Sequence, residues 1–229
     1  MINNSQDMSP NAANGAALAL KEDLRMLWEQ HVAWTRLAII SLVFGLPDVN
    51  FVLERLLRNP KDFETALIPL YGKDRAAKFS DLFTSHLVIA SELIKAAKAG
   101  DNNAVQNFEK QWYSNADEIA KFLAEINPNW SEAKWREMLH QHLSLTEQEA
   151  VTMLQGNYPK SIQLYDEIEP QALEMSDEMT RGIIKQFQGL FLSNLKSGSS
   201  DHPPFHFAQP IPITTPHPAE IFQTDSDSL

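Results

Sequence analysis

The sequence predicts an all-α antiparallel bundle of about five long helices plus two short ones, and three observations carry that prediction. Apolar residues recur at the three-to-four-residue spacing of amphipathic helices over most of the chain. Gly and Pro fall singly between these stretches, where they punctuate rather than interrupt. Strand-like alternation is absent.

Taken in order, residues 1–16 read as a disordered leader, 17–196 as the bundle domain and 197–229 as a disordered tail. The first helix is expected over Ala17–Phe44, stopped by Gly45-Leu46-Pro47. Two short helices follow, Val49–Arg58 and Asp62–Leu70, because Asn59-Pro60 should break a longer one and Gly72 should end the second. Long helices are then expected over Lys73–Lys98, closed by Gly100, and Asn103–Ile126, closed by Asn127-Pro128. Ser131 is placed to cap the next, with Trp130 and Trp135 spaced as a hydrophobic staple, and Gly156 ends it. Pro159 suits the first turn of a last helix that reaches about Leu195, with a kink at Pro170. Short connections favour up-down neighbours.

Composition excludes several functions. The chain has 229 residues, 43% of them apolar, enough for a substantial core. Without cysteine there can be no disulfide, thiolate metal site or cysteine nucleophile, so any metal would take His and carboxylate ligands. The formal charge of −11 disfavours nucleic acid, since the only basic clustering is around Arg55, Arg58 and Lys61. The N-terminal residues lack the basic and apolar regions of a secretory signal. The longest apolar run, Leu37–Leu46, is about half the roughly 20 residues of a membrane span. A cytoplasmic protein is expected.

The informative residues are polar ones standing in apolar stripes. His31 falls among Leu24, Leu27, Trp28 and Ala38; His86 among Phe79, Leu82, Phe83 and Leu93; His142 among Trp135, Met138, Leu139 and Ala150. The local strings form a weak internal repeat: a histidine, an aliphatic residue, and a small or hydroxyl residue four further on. Asn115 stands with Trp112, Ile119 and Phe122, and Asp166 at the edge of a stripe with Ile162, Glu169 and Leu173. His140 lies off the stripe, and His202, His206 and His217 lie in the tail.

Buried polar groups must find partners, because each one left unsatisfied costs about 1–3 kcal/mol. Two arrangements meet that need. In the first, His31, His86, His142 and Asp166 hold one divalent metal (Zn, Fe or Mn), with Thr35, Arg36, Asn115, Thr146, Tyr165 and Glu169 around them. In the alternative, the histidines form a structural, pH-sensitive hydrogen-bond network in a non-enzymatic interaction or stress-related bundle. No Glu precedes any of the three histidines by three residues, as a di-iron bundle would need. Thr146-Glu-Gln-Glu149 also reads as a capping box that would break the helix capped by Ser131. No nucleophile–base constellation is legible. The tail, through Pro210-Ile-Pro-Ile, offers a protein partner a short extended ligand, and oligomeric state is left open.

The segments LWEQHVAWTRLAIIS, LIPLYG, SHLVIASELIKAAKAGD, WYSNADEIAKFLAEINPNW, HLSLTEQEAV and YDEIEPQALEMSDEMTRGIIKQF resemble a family of uncharacterised bacterial all-helical proteins, over about Leu24 to Phe187. Pro170 and Gln188 are local departures from that pattern. Some relatives carry the label acetylglutamate kinase. This chain does not support that activity, for its eight glycines are scattered singly and build no phosphate loop. The resemblance implies a helical fold and no particular reaction.

Overall fold

The computed structural model describes residues 11–193, with side chains from 15 to 191. These residues form seven helices and, among the described residues, no strand: α1 Asn11–Phe44, α2 Val49–Tyr71, α3 Lys73–Ala99, α4 Asn102–Ile126, α5 Glu132–Leu154, α6 Tyr158–Gln186 and α7 Gln188–Ser193. The predicted all-α antiparallel bundle is the observed one. Most of the predicted leader and all of the predicted tail, with His202, His206 and His217, lie outside the described residues.

The helix ends follow local chemistry. Asp101, Ser131 and Asn157 cap α4, α5 and α6 by accepting from Ala104, Lys134 and Lys160 backbone N–H groups. Trp130 meets Trp135 edge-to-face at 6.0 Å, as the staple requires. Gly45, Gly100 and Gly156 follow α1, α3 and α5 with φ of 64°, 73° and 74°, a left-handed backbone that favours glycine.

Three expectations are corrected. α1 starts at Asn11, six residues into the expected leader. The two short helices are one, α2, which runs through Pro60 and Pro69. Pro60 removes one helical donor, a cost of about 3 kcal/mol. Against it stands a continuous buried stripe of Val52, Leu56, Asn59, Phe63, Leu67 and Tyr71, which only an unbroken helix keeps on one face. α6 stops at Gln186 and gives way to the short α7, so the last long helix ends earlier than expected. It too runs through its proline, Pro170, which lies exposed.

The packing has an internal order of three. α1, α3 and α5 touch one another around the centre, and α2, α4 and α6 each sit between two of them, α6 closing the ring against α1. The chain is thus three consecutive hairpins, α1–α2, α3–α4 and α5–α6. One large core runs through all of them, from Leu20, Leu24 and Leu27 through Phe63, Phe79, Trp112, Leu123 and Trp135 to Met175, Met179 and Ile183. At the end away from the three glycines, the last turns of α2, α4 and α6 are tied together. Tyr71 donates to Gln186 (2.9 Å) and accepts from Asn127 (2.9 Å), while Gln186 donates to the Ile126 carbonyl (3.0 Å).

Candidate functional site

The three histidines come together where α1, α3 and α5 meet. His31, His86 and His142 are 2%, 2% and 3% exposed. The His31 and His142 rings lie 5.7 Å apart; Phe83 stacks on His31 at 4.8 Å, and Trp112 covers His86 at 5.3 Å. The sequence expectation that these three share one core is met.

Each histidine faces an amide from the second helix of its own hairpin. Asn115 of α4 donates through Nδ2 to the Leu82 carbonyl (3.1 Å), which leaves its Oδ1 to accept from His86 Nδ1–H at 2.9 Å. Gln171 of α6 repeats this, donating to the Met138 carbonyl (2.8 Å) and accepting from His142 Nδ1–H at 2.9 Å. In both cases the carbonyl lies four residues before the histidine. A backbone carbonyl can only accept, so the amide is oriented, and with it the imidazole tautomer: Nδ1 carries the proton and Nε2 keeps its lone pair.

The third pair is open. Asn59 of α2 donates to the Leu27 carbonyl (3.0 Å), again four residues before the histidine, yet Asn59 Oδ1 and His31 Nδ1 are both buried without a hydrogen bond. The register of the first hairpin differs from that of the other two. Counted from the turn glycines, Asn115 and Gln171 lie 15 residues on and Asn59 only 14, and Gly45 is followed by a two-residue insertion before Asp48.

Burial holds all three imidazoles neutral. His86 is pushed down to about 3 and His142 to about 4, while His31 lies well below its usual 6.5. Loss of hydration is the main cause, since a charged imidazole in this core would be uncompensated. The neighbouring histidines add repulsion at His31, while the hydrogen bonds to Asn115 and Gln171 pull His86 and His142 the other way.

The remaining predicted residues fall elsewhere. Asp166 is exposed on α6, not in the centre. The expected stripe through Ile162 was wrongly phased: Ile162 is 53% exposed, and the buried face of α6 is Ser161, Leu164, Ile168, Gln171, Ala172 and Met175. Thr35 and Thr146 bond the His31 and His142 carbonyls rather than the rings (2.7 and 2.8 Å). The expected break at Thr146 is likewise absent, as α5 passes through it.

Arg36, Tyr165 and Glu169 belong to a second, flanking cluster. Arg36 donates to the buried Glu149 and to the Ser161 carbonyl (3.4 Å), and lies 4.9 Å over the Tyr165 ring. Burial raises Glu149 to about 7 against the pull of Arg36. Burial, then Glu29, Glu169 and Glu149, raise Tyr165 to about 12. Glu29 is itself raised, first by burial and next by the neighbouring Glu169 carboxylate.

Asn59, Gln171 and Glu149 were missed from sequence. The amides could have been found by their distance from the histidines: 28 residues from His31 to Asn59, and 29 from His86 to Asn115 and from His142 to Gln171. Among the described residues no group of three or more His, Cys, Asp or Glu is arranged to hold a metal ion, and no helix is long and apolar enough to cross a membrane. Compared with protein families, curated proteins and solved structures, the chain matches none.

Proposed function

We propose that the protein is a non-enzymatic interaction bundle whose histidines form a structural, pH-sensitive hydrogen-bond network. The observation that carries this reading is the repeated imidazole–amide–carbonyl chain. In two hairpins it commits Nδ1–H to an amide and the amide to the opposite helix, so each imidazole locks its hairpin while neutral. Protonation adds a buried charge that no carboxylate among these contacts offsets, so acid acts on all three hairpins at their meeting point.

The test is the tautomer itself. Long-range proton–nitrogen correlation spectra of labelled protein should show His86 and His142 as Nδ1–H imidazoles that stay neutral from pH 7 down to pH 5. An Nε2–H pattern, or ordinary titration near 6.5, would refute the network.

A second reading rests on the same tautomer. An Nδ1–H imidazole held by a hydrogen bond is the form in which histidine ligates a metal through Nε2. His86 and His142 are in that form, and with His31 beside them they would offer Zn, Fe or Mn three imidazoles, Asp166 no longer among the ligands. Elemental analysis decides between the two: stoichiometric metal that is lost in His31→Ala or His86→Ala supports the ion, and a metal-free folded protein supports the network.

A further inference from the structure

A cavity of about 60 Å³ opens beside the histidine layer, toward the end of the bundle that carries Gly45, Gly100 and Gly156. Its floor comes from the residues one turn beyond each histidine: Thr35, Ala90 and Thr146. Aliphatic side chains of α3, α4 and α5 and the indole of Trp112 make the walls. Trp112 is 4% exposed, and its Nε1–H carries no hydrogen bond.

One lining residue is charged. Glu147, half-buried on α5, stands close enough to Glu109 of α4 for the two carboxylates to repel. Tyr113, with His140 packed edge-on against its ring at 4.9 Å, lies beside them. Neither carboxylate is paired with Lys or Arg among the described ion pairs. The site therefore joins an apolar hollow, an indole wall and one lining carboxylate, Glu147, that has no Lys or Arg partner and a second carboxylate, Glu109, in its field. An anion is repelled there. A cation with an apolar tail meets both needs at once.

We propose that this cavity binds a short-chain primary alkylammonium, its hydrocarbon between Ala90, Trp112 and Ala150 and its ammonium at Glu147. A water molecule needs roughly 10–15 Å³ of such space, so the enclosed part suits a chain of about three or four carbons. The proposal does not rest on the histidine reading, because at pH 7 the imidazoles are neutral in either case.

The test titrates the full chain at pH 7 and constant ionic strength with butylammonium, 1-butanol and butyrate, following the Trp112 indole resonance assigned through Trp112→Phe. Butylammonium should give a saturable shift with a Kd about ten-fold or more below that of butanol, and butyrate should give none. Glu147→Gln should bring ammonium and alcohol to within about two-fold of each other. Ala90→Leu, which fills the hollow, should abolish binding in a chain that stays helical. The proposal is overturned if butanol binds as tightly as butylammonium, if butyrate binds best, or if no compound gives a saturable shift. It is equally overturned if folded Ala90→Leu still binds. Should Ala90→Leu not fold, an unchanged butylammonium affinity in Glu147→Gln overturns it.

Discussion

Replacing His86 by Asn should flatten the acid dependence of stability. Asn can offer its amide N–H toward Asn115 Oδ1 where the imidazole Nδ1–H now lies, so the lock is kept and the titrating group is removed. The sign follows from linkage: His86 binds its proton near 6.5 when unfolded and only at about 3 when folded. Its contribution is complete above pH 6.5 and is lost as the pH falls toward 3. In that window each pH unit costs about 1.4 kcal/mol, so at pH 5 the wild type has lost about 2 kcal/mol through His86 alone. His142, at about 4 when folded, loses about as much, and His31 acts in the same direction. Glu149 opposes them: raised to about 7 in the fold, it takes up its proton earlier there and returns about 2 kcal/mol over the same range. The wild-type curve is therefore a sum of opposed terms, and the difference between two proteins is the sharper quantity. Urea unfolding followed by tryptophan fluorescence at pH 7, 6, 5.5 and 5 should give a slope about 1.3 kcal/mol per pH unit shallower for the variant near pH 5. Any cavity left by the smaller side chain lowers both ends of the curve alike. Parallel curves for the two proteins would refute the reasoning.

Asn115→Ala should cost more than Asn59→Ala, because it strands His86 Nδ1–H, whereas the Leu82 and Leu27 carbonyls that the two amides also serve keep their own helical N–H donors. At about 1–3 kcal/mol per stranded group, denaturant unfolding at pH 7 resolves the two. Gly182→Ala should lower stability by about 1–3 kcal/mol, since a Cβ there would lie 1.9 Å from Trp130 Nε1, and thermal unfolding reads it as a lower Tm. Arg36→Met leaves Glu149 buried without its partner and should cost about 3–5 kcal/mol at pH 8, where the carboxylate is ionised. The same unfolding assay at pH 5.5, where Glu149 is protonated, should show a smaller loss.

The architecture was legible because helix periodicity is a local property. Each helix betrays its buried face in its own residues, and the three histidines stood out as polar breaks in otherwise apolar stripes. Pro60 misled because its cost is local, whereas the stripe that outweighs it spans α2 from Val52 to Tyr71. Asp166 misled because the phase of a helix with many polar residues is ambiguous: Ile162 invited one face, and Ile168, Ala172 and Met175 define another. Asn59 and Gln171 were hidden for a different reason. An amide in a stripe advertises nothing by itself, and its meaning comes from the helix across the hairpin, 28 or 29 residues away.

Since α6 closes the ring against α1, and Ala16 and Phe191 are buried in the same core, the chain's two described ends meet. A circular permutant that joins them through a linker and opens at Gly72, or between Asn127 and Ser131, would still be written as three intact hairpins. The order in which the hairpins are synthesised then becomes a free variable, separable from the structure they build.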